Sequence, residues 1–220
     1  MDLTAFTPVT RSHAAAPTPT SAPAPSLRLQ LLNFAVFQAA WTAAVLGAAG
    51  GWLLLGVAAI AAALAWHLWR STAPAQEARL ALVVSGIGLV FETLRLTLAD
   101  TTYPSGQPLA WLPPYWLVAL WTLMAITLNV TLRWLRGRWA LAALLGAIGG
   151  PLAFLGGERL GGAQFTDPTS ALTSLALGWS VLMPLLVVLA QRWDGVCPPA
   201  AHAAHPPGKS PSPTSGEGLG

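Results

Sequence analysis

The chain reads as all-α: a polytopic membrane protein with a bundle of six transmembrane helices and disordered tails. Three observations predict this. Of its 220 residues 54% are hydrophobic and only 9% charged, where a soluble domain carries about 25% charged residues. The apolar residues come in runs near the length of about 20 that a helix needs to cross roughly 30 Å of hydrocarbon. The arginines collect in every second gap between those runs. The mean hydropathy is +0.58.

Residues 1–28 form an N-terminal tail rich in Ala, Pro, Thr and Ser, without hydrophobic periodicity, and read as disordered. A cleaved signal peptide does not fit, because the apolar stretch begins only after Arg28 and is too long for its core. The membrane domain covers residues 29–193. Its first helix is predicted over 29–46 and its second over 52–69, with GAAGG at 47–51 as the turn between them. The third covers 80–98. The fourth, 115–135, follows Pro113 and Pro114, which suit a helix start. The fifth spans 139–157 and the sixth 171–191. Pro151 and Pro184 fall inside these two, where each removes a backbone donor and favours a kink. Residues 194–220 form a second disordered tail. His202 and His205 within it read as solvent-exposed, and Cys197, the single cysteine, excludes an internal disulfide.

Orientation follows from the basic residues. Arg11, Arg28, Arg70, Arg79, Arg133, Arg136, Arg138, Arg192 and Lys209 are nine of the eleven, all on one side of the predicted bundle. The positive-inside rule then places both termini in the cytoplasm. Trp66, Trp69, Trp134, Trp139 and Trp193 mark the inner interface, and Trp52, Trp111 and Trp116 the outer one. A pI of about 9.8 is explained by these topology signals, and no nucleic-acid partner is expected. No catalytic, cofactor-binding or metal-ligating constellation is legible, and His67 reads as an interfacial residue.

The chemistry lies in the polar residues within the apolar spans. Glu92 and Arg95, in VFETLRLTL, are three residues apart on one helix face. With the helix centred near Leu89, they lie roughly 5 and 9 Å towards the outer surface. An ionisable residue near the bilayer centre costs about 2.5–3.5 kcal/mol on insertion scales and is a functional candidate. Two readings fit: an intrahelical pair that staples the third helix to its neighbours, or an outward-opening site for a substrate, a headgroup or a proton. Glu158 and Arg159 at the outer end of the fifth helix are either its polar end or part of the same cluster. Joined, two acids and two arginines would suit a zwitterionic or anionic ligand. On the inner half, Asn33, Gln38 and Asn129 either tie helices together or line a vestibule. Gly146, Gly149, Gly150 and Gly157 have the small-residue spacing that lets helix backbones approach closely. Arg133, Arg136 and Arg138 suit anionic headgroups, at about 1 kcal/mol each.

Three segments, NFAVFQAAW at 33–41, LNVTLRWLRGR at 128–138 and LLGAIGGPLAFLGGERLG at 144–161, resemble in this order and spacing a family of uncharacterised bacterial inner-membrane proteins, domain of unknown function 2878. The resemblance covers about residues 29–193. It implies an acid in the third helix, a place Glu92 takes. It also implies a bacterial inner-membrane location and, from the family's frequent neighbourhood with cyclopropane-fatty-acid-synthase-like enzymes and oxidative-stress genes, a link to membrane lipid remodelling. No activity, cofactor or site residue is carried over from it.

Three functions are therefore expected in descending order. The first is a component that binds or moves a lipid or small amphiphile through Glu92 and Arg95. The second is an accessory or scaffold subunit for a lipid-modifying enzyme, with the glycine-rich fifth helix and the basic inner rim as docking surfaces for a membrane-protein partner or a second copy. The third is an intramembrane enzyme, for which no His or Cys partner to the carboxylate is legible.

Overall fold

The computed structural model describes residues 24–197, so the reading of both tails as disordered lies outside the described residues at 1–23 and 198–220, as do Arg11, Lys209, His202 and His205. The described chain forms six α-helices: α1 Leu27–Ala49, α2 Leu53–Arg70, α3 Pro74–Leu96, α4 Tyr115–Leu128, α5 Trp139–Arg159 and α6 Pro168–Arg192. A two-residue antiparallel ladder joins β1, Thr101–Thr102, to β2, Gln164–Phe165. The molecule is an all-α multi-pass membrane bundle. Four helices, α1, α2, α5 and α6, are long and apolar enough to cross a membrane.

The other two differ from the sequence expectation for physical reasons. α3 starts at Pro74 rather than near Leu80, with the proline in the first turn, where its missing N–H costs nothing. This brings Glu77 into the helix. α4 stops at Leu128 rather than Leu135. Beyond it the chain turns at Asn129 and Val130 and makes one 3-10 turn at Arg133–Leu135. Asn129 therefore caps the helix instead of lying within it. Pro151 and Pro184 do not interrupt α5 or α6.

α4 is the central post. It packs on α3, α1, α2 and α6 and buries Trp116, Trp121, Leu123, Ile126 and Leu128. A helix apolar on every side belongs in such a core. α1 pairs with α2, and α5 pairs with α6 along its length. Gly146 and Gly150 make the second pairing close. A Cβ on Gly146 would stand 2.1 Å from the Trp179 carbonyl oxygen, and one on Gly150 would stand 2.4 Å from the Trp179 ring. Gly149 and Gly157 are not packing glycines, contrary to the expectation from spacing, for a Cβ on either meets nothing within 4 Å.

Hydrogen bonds between connections show that the helices run up and down. At one end lie the start of α1, the α2–α3 connection, the end of α4 and the end of α6. Thr131 donates to the Gln30 carbonyl at 3.2 Å, and Thr72 donates to the Gly195 carbonyl at 2.8 Å. The carboxylate of Glu77 is the hub there. It takes His67 Nε2 at 2.8 Å, Asn129 Nδ2 at 2.7 Å and the Gly195 amide at 2.7 Å. His67 is thus a buried partner of Glu77 rather than an interfacial residue. Asp194 completes the lock. It accepts from Arg133 and, at 2.9 Å, from Arg136, and its other oxygen caps the Val196 and Cys197 amides. Two of the three arginines read as headgroup binders are therefore held inside the fold.

Two outcomes test this packing. Gly146→Leu should lower the thermal unfolding midpoint in mild detergent by an overpacking cost of about 1–3 kcal/mol or more, while Gly149→Ala should stay within about 0.5 kcal/mol of the parent. Equal effects would separate the glycines from α6 packing. Burial pushes the Asp194 carboxyl up, but the Cys197 amide, Arg136 and Arg133 outweigh it and hold the group below its ordinary 3.8. A carboxyl with a depressed folded pKa stabilises the fold fully above the unfolded value, and loses that contribution as pH falls through the lower folded value. Acid unfolding below pH 3.8 should therefore be steeper in the parent than in Asp194→Asn, read as the change of unfolding midpoint with pH.

Candidate functional site

The opposite end of α3 carries the second buried cluster. After Leu96 the chain leaves the helix and turns at Ala99, whose φ is +52°. That turn returns Asp100 beneath the preceding helical turn. Arg95 Nη2 donates to Asp100 Oδ1 at 3.1 Å and to Thr101 Oγ1 at 3.3 Å, and Nε reaches Ser174 Oγ at 3.4 Å. Asp100 Oδ2 accepts from Ser170 at 3.2 Å and Ser174 at 3.4 Å, both on α6. Its carbonyl accepts from the Thr166 amide at 2.9 Å, beside β2. Asp100 is 2% exposed and ties α3 to α6. The Arg95 guanidinium also sits 5.1 Å from the centre of the Phe154 ring, on α5.

Glu92 is left out of this network. Its Oε2 lies 3.7 Å from Arg95 Nη1, beyond a hydrogen bond. Among the described residues neither Glu92 oxygen nor Arg95 Nη1 has a hydrogen-bond partner, although Glu92 is only 1% exposed. The expected i, i+3 pair is present, but Arg95's hydrogen bonds go to Asp100, Thr101 and Ser174.

Glu92 borders a cavity of about 360 Å³, within the range of small-molecule pockets. Its wall is aromatic: Phe37 and Trp41 from α1, Trp116 and Trp121 from α4, Phe154 from α5 and Trp179 from α6. Trp121 and Trp179 stack at 4.9 Å, and Phe91 meets Trp121 edge-on at 5.7 Å. Glycines seat these rings, since a Cβ on Gly88 would stand 2.1 Å from Trp121. Gly149 and Gly157 also line the cavity, and their missing side chains leave part of the space. Glu92 is the one charged residue in the lining, and the Trp179 indole N–H that borders the cavity is buried without a partner among the described residues.

The cavity opens between α1 and α5. Its exposed lining residues are Phe34 and Gln38 on α1 and Ala153 on α5. The two helices pack mainly on other partners, α1 on α2 and α4 and α5 on α6. Trp41 closes the gap at Gly156, where a Cβ would stand 3.2 Å from the ring. The opening therefore faces the side of the bundle, where the hydrocarbon of a membrane would lie.

The other residues singled out from sequence separate into different places. Asn33 is fully buried, donates to the Ile126 carbonyl at 3.0 Å and accepts from Thr131 at 2.7 Å, so it ties α1 to the end of α4. Asn129 belongs to the Glu77 hub and also donates to the Trp193 carbonyl at 3.1 Å. Neither lines the cavity, whereas Gln38 does. Glu158 borders a neighbouring polar pocket with Thr102, Pro104 and Gln164, which shares Tyr103 and Ala163 with the main cavity. It accepts from the Phe165 amide at 3.2 Å. Burial, and next the charge of Glu92, push the Tyr103 hydroxyl above its usual range, so it stays protonated between the two pockets. Arg159 is exposed and does not join Glu92, so two acids and two arginines do not form one cluster. Sequence reasoning missed Asp100, Glu77 and Trp179. An aspartate five residues after a buried arginine, and a proline–x–x–glutamate helix start, were the available signals for the first two.

No curated protein and no solved structure matches the chain. The sequence profile of a family described as a protein of unknown function (DUF2878) matches residues 30–185. That span takes in Glu92, its aromatic cavity and the glycines of α5, and the chain belongs to this family.

Proposed function

We propose that this protein binds a lipid or small amphiphile in the cavity beside Glu92, with its apolar chain passing between α1 and α5. The observation that carries the reading is the lateral opening of an aromatic, apolar cavity that ends on a buried carboxylate with no hydrogen-bond partner among the described residues. An apolar chain enters such a space without crossing water, and a head group supplies the hydrogen bond or the charge that the carboxylate lacks. Within a family of unknown function, the binding or movement of such a molecule is the role this geometry serves best, and membrane lipid remodelling is the process we propose for it. The scaffold reading draws less support, because Gly146 and Gly150 are occupied by α6 and Arg133 and Arg136 by Asp194.

The test is co-purification. Protein extracted in mild nonionic detergent should carry a bound amphiphile, identified by untargeted mass spectrometry after denaturation. Gly149→Leu and Gly157→Val, which grow into open space, should remain folded. They should lose occupancy about tenfold or more, the effect of a steric block above about 1.4 kcal/mol. An amphiphile retained at parental levels by both folded variants would place it outside the cavity.

A further inference from the structure

The chemistry of the cavity also selects the head group. The buried charges at this end of the bundle are Glu92, in the lining, and Arg95 and Asp100 behind it, with a formal sum of one negative charge. Arg95 is committed to Asp100 at 3.1 Å, with Thr101 and Ser174 in support, and it does not border the cavity. No basic side chain is in the lining, so an anionic head would meet Glu92 with nothing to neutralise it. A neutral head would leave the buried carboxylate with only Arg95 as countercharge, 3.7 Å away and shared with Asp100. A cation meets both needs, because aromatic rings attract cations through their π faces, and Trp41, Trp116, Trp121, Trp179 and Tyr103 share the wall with Glu92.

We infer that the amphiphile carries a cationic nitrogen, an ammonium group on a single apolar chain. Its head docks against Glu92 within the tryptophan wall, and its chain leaves past Phe34, Gln38 and Ala153. The single chain follows from the size of the cavity, about 360 Å³, at the small end of ligand pockets. This inference rests on the proposed amphiphile site and adds the charge of its occupant. Glu92 acts as countercharge, with no bond made or broken.

The experiment is a competition on full-length protein in maltoside micelles at neutral pH. The probes are dodecyltrimethylammonium, dodecanol and dodecanoate in equal amounts, and retention is read by native mass spectrometry. The expected result is retention of dodecyltrimethylammonium about tenfold or more above the other two, the scale of a desolvated cation site. Glu92→Gln should bring it down to the level of dodecanol, and Gly149→Leu should lower all three. The competition in the parent protein decides the matter even where Glu92→Gln fails to fold. Equal retention of dodecanol, preference for dodecanoate, or an undiminished ammonium preference in folded Glu92→Gln overturns the cationic head. If Gly149→Leu still displaces the probes in those cases, the amphiphile site itself stands. Retention of none of the three overturns both.

Discussion

A carboxylate taken out of water must find donors, a cation or a proton, or it destabilises the fold that buries it. α3 carries two such carboxylates, at opposite ends, and the bundle treats them in opposite ways. Glu77 is satisfied from three directions, by His67 on α2, Asn129 at the end of α4 and the Gly195 amide after α6. Those bonds gather the ends of α2, α3, α4 and α6 at one end of the bundle. Glu92 sits as deeply, yet it has only a distant guanidinium that is bonded elsewhere. The first arrangement locks an architecture. The second leaves an unmet demand for a positive or hydrogen-donating group, facing an open space.

The space exists because α5 uses its glycines in two ways. Gly146 and Gly150 let the helix close on α6 at the level of Trp179, whereas Gly149 and Gly157 face a void that side chains would fill. With α5 held to α6, and α1 held to α2 and α4, the seam between α1 and α5 stays unfilled over part of its length. Interiors are ordinarily packed to crystal-like density, so an aromatic-walled void bordering an unpartnered acid is a costly feature. Its cost is offset when a molecule occupies it.

Much of this was legible in the residues. Apolar runs and alternating arginines gave the helix order, and Glu92 and Arg95 stood out because charge is rare in an apolar span. Asn33 behaved as a buried amide that ties two helices. What sequence reasoning missed is long-range. The bond from Arg95 to Asp100 depends on a turn at Ala99 and on serines 70 and more positions away on α6. The His67–Glu77 pair depends on α3 beginning at Pro74. The cluster of two acids and two arginines, expected to suit an anionic or zwitterionic ligand, does not form for the same reason: Arg95 is bonded within the fold and Arg159 is exposed.

The sequence by itself determined the class of the protein, its helix order and the helix that carries the buried acid. Those properties follow from local composition and from periodicity along one chain. Only the tertiary structure decided which acid was satisfied, which glycines packed and which left a void, and where the cavity opens. Each of those depends on partners far apart in the chain, and hydrogen bonds and packing are made by atoms that meet in space.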